Sequence, residues 1–135
     1  MDIEVVITRA KKERYEANLV DPQKLDFGLF GEGCSVKETI EDFFTCLEDM
    51  KAAQLELGKT FPNNIQFKFV YDTPSFLEYY SEKLSLAGLG HITGINRKQL
   101  SHYLTGHSRP SERTIRKIEK SLREFGKELS QVNFV

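Results

Sequence analysis

The sequence predicts an α+β protein in which a small domain of strands and one helix precedes an all-α domain. Three observations support this prediction. Short β-branched or alternating runs concentrate in the first half of the chain, at residues 3–8, 15–20 and 66–71. A long helical pattern occupies residues 36–57 between them. After residue 73, apolar residues recur mainly at helical spacing, and glycines separate the segments.

The first 72 residues predict the order β-β-β-α-β. The run Ile3–Thr8 is almost continuously apolar, which predicts a strand buried on both faces. Residues 15–20 are expected to form a second strand that pairs with it as a hairpin. Phe27, Leu29 and Phe30 indicate a third strand, after which Gly31-Glu32-Gly33 is expected to form a turn. Ser35 with Glu38 forms a capping box, the usual signature of a helix start, and this helix is followed by a strand at 66–71.

The remaining residues predict four helices. Thr73 as N-cap and Pro74 start the first, whose apolar face should brace the helices that follow. Two short helices, 86–93 and 97–104, are joined by a turn at Gly94, where glycine supplies the left-handed conformation. Pro110-Ser111 opens the last helix, which is expected to end at Gly126. The tail 129–135 is expected to be a short strand.

Charge is distributed unevenly along the chain. Residues 1–90 contain 10 Lys and Arg against 16 Asp and Glu, whereas residues 91–135 contain 9 against 4. Phosphate groups attract a basic surface and repel an acidic one. The C-terminal part is therefore the candidate for binding nucleic acid, and the N-terminal part should do something else.

The two short helices have the pattern of a helix-turn-helix. Asn96 is placed to cap the second helix, with Gln99 three residues on as a variant of the capping box. The outward positions of this helix carry hydrogen-bonding or cationic side chains, as reading of base edges in the major groove requires. These positions are Asn96, Arg97, Lys98, Ser101 and His102.

The run G-I-N-R-K-Q-L-S-x-Y-x-x-G at 94–106, followed by R-P-S at 109–111, resembles the helix-turn-helix of the phage repressor and Cro class of DNA-binding domains. The resemblance covers roughly residues 74–126. It implies that Arg97, Lys98, Ser101 and His102 enter the major groove of double-stranded DNA. Contacts with the phosphate backbone are expected from His107, Arg109, Arg113 and Arg116.

The N-terminal part is similar to HicB antitoxins. The similarity rests on the strand-turn-strand start and on the run G-L-F-G-E-G-C-S-V-K-E-T-I-E-D-F at 28–43. It implies a partial RNase H-like domain that binds a HicA-like toxin, a small basic RNase. The acidic side chains expected to meet such a toxin are Glu41, Glu48 and Asp49.

Other classes of function find little support in the sequence. Two cysteines, Cys34 and Cys46, give no disulfide framework and no zinc motif. His102 and His107 are five residues apart rather than four, so no metal site is predicted there. No cofactor motif, catalytic triad or phosphate-binding glycine loop is present, so no catalytic residue is assigned. No apolar run approaches the length of a membrane span, and the start is not a signal peptide, so the cytoplasm is the expected location.

These observations predict a domain at 1–72 and a helix-turn-helix domain with a tail at 73–135. The favoured function is an antitoxin that binds operator DNA as an autorepressor. One alternative is a free-standing transcriptional regulator whose N-terminal domain senses a ligand or oligomerises. Another is a metal-dependent nuclease, for which Asp2 and Glu4 would be the first ligands. A single module reads few base pairs, so a homodimer or higher homo-oligomer is expected, through the sheet edge or the tail.

Overall fold

The computed structural model describes residues 1–135 and divides into two compact units, Met1–Tyr79 and Tyr80–Val135. The α+β class is confirmed, with a sheet and two helices in the first unit and three helices in the second. The division lies seven residues after the boundary expected at residue 72. The helix that starts at Thr73 therefore belongs to the first unit.

A four-stranded mixed sheet forms the first unit, and its strands lie in the order β3-β2-β1-β4. The strands β1 (Asp2–Lys11) and β2 (Arg14–Leu19) form the predicted antiparallel hairpin. The strand β3 (Phe30–Gly33) extends the sheet beside β2, and β4 (Gln66–Tyr71) runs parallel to β1 on the other side. The helix α1 (Val36–Glu56) connects β3 to β4.

The core lies on one face of the sheet. In β1, Ile3, Val5 and Ile7 are buried, whereas the alternate residues are exposed or half-buried. The ring of Phe43 on α1 is buried in the same cluster, edge-on to Phe67 of β4 at 5.3 Å between ring centroids. The prediction that β1 is buried on both faces was wrong. A mixed four-stranded sheet needs only one covered face, so Val6 on the other face remains half-exposed.

Gly31 and Gly33 lie inside β3 and not in the predicted turn. The third strand accordingly begins at Phe30, and Leu25, Phe27 and Leu29 fill the core from the preceding loop. A Cβ atom on Gly31 would lie 2.5 Å from the carbonyl oxygen of Thr39. These glycines therefore let the backbone of α1 come into contact with the backbone of the strand.

The start of α1 follows the predicted capping box. The Ser35 hydroxyl accepts a hydrogen bond from the Glu38 amide at 3.1 Å. The Glu38 carboxylate in turn accepts from the amide of Cys34 at 2.9 Å. Gly58, with φ of 73°, follows the last turn of α1 in the left-handed conformation that favours glycine.

The helix α2 (Thr73–Tyr79) is capped by Asp72 and not by Thr73. The two carboxylate oxygens of Asp72 accept from the amides of Ser75 and Arg9, each at 2.9 Å. This pairing fixes the start of α2 to β1, because Arg9 belongs to that strand. Leu77 is buried, and the helix ends at Tyr79.

The second unit consists of α3 (Leu86–Thr93), α4 (Arg97–Thr105) and α5 (Glu112–Ser130). The first two agree with the prediction to within one residue. The helix α5 passes through Gly126, where the sequence predicted its end, and the predicted strand at 129–135 is absent. None of the helices in the chain combines the length and the hydrophobicity that crossing a membrane requires.

Candidate nucleic-acid interface

The turn between α3 and α4 is built on Gly94. This residue has φ of 74°, a left-handed conformation, and its amide donates to the carbonyl of Gly90 at 2.8 Å. A Cβ atom on Gly90 would lie 3.0 Å from the carbonyl oxygen of Ile95, so glycine allows the turn to close against α3. Leu89 and Leu100, each 1% exposed, hold the two helices together.

Thr93 is a part of this turn that the sequence reasoning missed. The side chain is buried, its hydroxyl donates to the carbonyl of Leu89 at 2.7 Å, and its oxygen accepts from the amide of Ile95 at 3.2 Å. The hydroxyl therefore satisfies an amide that has no partner within either helix. A threonine directly before the turn glycine was the available signal, since Thr and Ser commonly bond to backbone two residues on.

Asn96 caps α4 as predicted, accepting from the amide of Lys98 at 2.7 Å. The capping box with Gln99 was wrong. The Gln99 side chain instead donates to the hydroxyl of Ser108 at 3.1 Å. It therefore ties α4 to the loop that follows it, because Ser108 lies beyond the end of the helix.

The outer face of α4 carries the predicted DNA-contacting residues. Asn96, Arg97 and Lys98 are exposed in the first turn, and Ser101 and His102 are half-buried in the next. No carboxylate is present in α4, so its exposed surface is polar or cationic. The first-turn amides of a helix also present partial positive charge, which favours an approaching phosphate.

The loop after α4 brings His107 back towards the helix. Gly106 adopts a left-handed conformation with φ of 79°, and the amide of Ser108 donates to the carbonyl of His102 at 3.3 Å. The rings of His102 and His107 lie 4.6 Å apart between centroids. The sequence spacing did not predict this proximity, because it depends on the reversal at Gly106 rather than on helical periodicity.

The first turns of α5 supply the remaining cations. Ser111 caps the helix by accepting from the Thr114 amide at 3.2 Å. Arg113 and Arg116 are exposed, and Arg116 lies 4.0 Å from the carboxylate of Glu112, a surface ion pair of little energetic weight. A shallow depression is lined by Arg113, Thr114, Arg116, Lys117 and Lys120, which makes this side of α5 strongly basic.

Residues 81–124 match the helix-turn-helix family model. The matched segment contains α3, the turn and α4 entirely, together with most of α5. The helix-turn-helix match supports a DNA-binding transcriptional regulator. No curated protein and no solved structure matches the chain. The match does not extend to the first unit, so the resemblance of that unit to HicB antitoxins stays a prediction.

The acidic residues of the first unit fall into two groups. Glu41, Glu48 and Asp49, the predicted toxin contacts, are exposed on α1. Other carboxylates form local bonds: that of Asp42 accepts from the Glu32 amide at 2.9 Å, and both oxygens of Asp72 accept from backbone amides.

The carboxylate of Asp2, the first ligand in the nuclease alternative, lies 3.0 Å from the ammonium of Lys68. Hydrogen bonding and charge attraction from Lys68 hold the pKa of Asp2 below its usual value. Lys68 neighbours Asp2 because β4 runs parallel to β1 with Gln66 opposite Asp2. Asp2 is thus paired with a cation rather than with a second carboxylate, which does not favour the nuclease alternative.

Proposed function

We propose that the protein is a transcriptional regulator that binds operator DNA through α4 and occludes the promoter. The observation that carries this proposal is the outer face of α4, where Asn96, Arg97 and Lys98 are exposed at the start of a helix fixed by the Gly94 turn. The match of residues 81–124 to the helix-turn-helix family model supports it.

The proposed contacts divide by their chemistry. Arg97, Lys98 and Ser101 present donors to base edges, and a guanidinium bound to guanine is the most common specific contact of this kind. Asn96 and His102 complete this face. The phosphate contacts are assigned to His107, Arg109, Arg113 and Arg116, which carry charge but read no sequence. Because a single module covers few base pairs, the proposed operator has two half-sites about 34 Å apart.

The test is a titration of the protein into the DNA upstream of its own gene at 50 mM and 200 mM salt. We expect sequence-specific binding that weakens at least 100-fold between these conditions, because counterions are released from the contacted phosphates. Arg97→Ala should lose most of the preference for the upstream sequence over unrelated DNA. Lys37→Ala, which removes an exposed cation from α1, is the control and should bind like the parent protein.

Equal binding to upstream and unrelated DNA would contradict this proposal. If the folded protein binds upstream and unrelated DNA equally at both salt concentrations, it has no operator in that region. Circular dichroism of Arg97→Ala must match that of the parent protein, since the side chain is exposed and takes no part in the core.

A second function, toxin neutralisation, is favoured by the exposed acidic group on α1. We propose that Glu41, Glu48 and Asp49 contact a small basic HicA-like toxin, so that the protein acts as a HicB-like antitoxin and autorepressor. Opposite charges across an interface steer association and increase its rate. The order β-β-β-α-β, with α1 packed on one face of the sheet, is compatible with the resemblance to HicB antitoxins.

Co-purification from the native host tests this second function. We expect a small basic protein, encoded beside this gene, to be retained by the parent protein and by Glu56→Gln, a control on the same helix. The triple variant Glu41→Gln, Glu48→Gln and Asp49→Asn should retain much less of it. Neighbouring reading frames that encode no such protein would refute the antitoxin function and leave the DNA-binding proposal intact.

A further inference from the structure

Two imidazole rings lie side by side at the end of α4. His102 is half-buried on the helix and His107 is exposed in the loop that follows, and their ring centroids are 4.6 Å apart with an angle of 52° between the ring planes. Neither ring forms a hydrogen bond or an ion pair within the chain. Each neutral imidazole has one nitrogen that accepts, so both rings can bind the same ligand.

The loop that brings the two rings together is held by hydrogen bonds. Gly106 reverses the chain with φ of 79°, and the Ser108 amide donates to the carbonyl of His102 at 3.3 Å. The Gln99 side chain donates to the Ser108 hydroxyl at 3.1 Å, which fastens the loop to α4 from the other side. The backbones that carry the two imidazoles are therefore fixed relative to each other, and only side-chain rotation is needed to adjust the rings.

We propose that His102 and His107 together bind a zinc ion. Imidazole nitrogen is a preferred zinc ligand, with a bond length of about 2.0–2.1 Å. Two imidazoles bound to one tetrahedral zinc ion at that length have ring centroids about 5 Å apart. The observed 4.6 Å is close to this value, so small rotations of the two side chains are sufficient. The spacing of five residues in the sequence does not predict this site, because the chain reversal at Gly106 creates it.

The site is open, with two ligands from the protein. No third histidine, cysteine or carboxylate joins the pair, so two of the four tetrahedral positions remain for water or another ligand. Lys98 lies one helical turn before His102, and Arg109 lies two residues after His107; both are exposed cations that oppose a further positive charge. We therefore expect a dissociation constant on the order of 10 μM, far weaker than that of a structural zinc site with four protein ligands.

The open positions give the ion a part in DNA binding, and this step rests on the proposed function. His102 belongs to the proposed DNA-contacting face of α4, and His107 is one of the proposed phosphate contacts. Zinc also accepts oxygen ligands, so an ion held by the two rings can bind a phosphate oxygen directly. One such contact is comparable to a hydrogen bond between charged groups, and we expect it to raise the affinity for DNA about tenfold.

The first experiment measures zinc binding in the absence of DNA. Zinc chloride is titrated into the full chain, prepared without a polyhistidine tag, and followed by calorimetry. We expect the parent protein to bind one ion and His102→Gln and His107→Gln each to lose that binding. His91→Gln, which removes an exposed histidine from α3, is the control and should bind zinc like the parent protein.

Two results of this titration would overturn the inference. One is the absence of zinc binding in the parent protein, and the other is its retention in both variants, which would place the ion elsewhere in the chain. Circular dichroism checks that each variant is folded. Because His107 is exposed in a loop, His107→Gln decides the outcome if His102→Gln is unfolded.

The second experiment compares the affinity for the upstream DNA with and without zinc at about ten times its dissociation constant. The quantity of interest is the ratio of the two affinities, which is independent of any loss that a variant shows without metal. We expect a ratio of about ten for the parent protein and His91→Gln, and a ratio near one for His102→Gln and His107→Gln. Magnesium chloride at the same concentration should give a ratio near one in every case, because Mg²⁺ prefers oxygen ligands.

The two experiments separate this inference from the proposed function. Zinc binding by the parent protein and its loss in the histidine variants support the metal site, whether or not the protein binds DNA. Failure of the parent protein to bind upstream DNA, with or without zinc, would refute the proposed function. A ratio near one for a parent protein that binds both zinc and DNA would refute the contact between the ion and a phosphate.

Discussion

At the scale of single residues, Gly31 and Gly33 decide how α1 packs on the sheet. The absence of a side chain at each position leaves room for the backbone of α1, with Thr39 and Phe43 directly above Gly31. The Thr39 hydroxyl is itself buried and donates to the carbonyl of Tyr15 at 3.3 Å and to that of Ser35 at 2.8 Å. The close approach of α1 to Gly31 involves backbone atoms, so the rotation of a side chain cannot relieve it.

Gly31→Ala is expected to destabilise the first unit by about 2–3 kcal/mol, because the added methyl group would lie within 3 Å of three backbone atoms and α1 would have to shift. Gly28→Ala is the matched control, since a Cβ atom there meets nothing within 4 Å. Urea unfolding of both variants checks the prediction. Equal midpoints for the two variants would contradict the close approach of α1 to β3.

Thr93 shows how one buried hydroxyl links a helix to the turn that follows it. It bonds the last turn of α3 and the amide of Ile95, which lies between Gly94 and the cap residue Asn96. The residues proposed to contact DNA at the start of α4 are exposed, whereas Thr93, which bonds the turn before them, is buried. The candidate site in this unit therefore combines exposed contact residues with a buried residue that holds the turn.

At the scale of elements, α5 has two roles along its length. Its first turns present Arg113, Arg116 and Lys117 to the basic side, while Ile118 closes the core of the second unit. Its last turns carry the exposed apolar residues. The helix continues through Gly126 because neighbouring residues are strong helix formers and no left-handed conformation interrupts it.

Gly126→Ala is expected to raise the free energy of unfolding of the second unit by about 0.5–1 kcal/mol. Alanine loses less conformational entropy than glycine on entering a helix, and a Cβ atom at this position meets nothing within 4 Å. Thermal unfolding followed by circular dichroism measures the change. Gly94→Ala should have the opposite effect, because φ at Gly94 is 74°. A lower melting temperature for Gly126→Ala would show that the helix does not extend past this residue in solution.

At the scale of the whole molecule, acidic and basic residues are concentrated in different parts of the chain. The excess of acidic residues lies in residues 1–90 and the excess of basic residues in residues 91–135, so the chain as a whole has a net charge of −1. A polyanion can approach such a protein favourably only from its basic side. Overall charge is therefore a poor guide to whether this chain binds DNA.

The salt dependence of DNA binding tests this division. If Arg113 contacts a phosphate, Arg113→Gln should lower the slope of log affinity against log salt by about 1, with the sequence preference unchanged. Arg123→Gln is the control, because Arg123 lies further along α5 and pairs with Glu119 at 3.4 Å. Fluorescence anisotropy at four salt concentrations measures both slopes. Equal slopes for the two variants would place Arg113 away from the DNA backbone.

Sequence alone determined most of the local elements of this protein. The bounds of α1, α3 and α4 were predicted almost to the residue from helix caps, the turn glycine and the spacing of apolar residues. Each of these signals depends on residues within four positions of one another. The same local signals gave the candidate DNA-contacting face of α4. They failed at the start of α2, where the competing influence was distant: Asp72 replaced Thr73 as a cap because it also binds Arg9, which is 63 residues away. They also failed at the end of α5, which continues through Gly126.

Only the tertiary structure decided the role of the glycines in β3, the burial of Thr93, the proximity of His102 to His107 and the exposure of the end of α5. Each depends on which segments pack together, and residue spacing carries no information on that. A glycine that permits a turn and a glycine that permits close packing are identical in the sequence. They differ only in whether another backbone lies within 3 Å of the missing Cβ atom, as it does at Gly31.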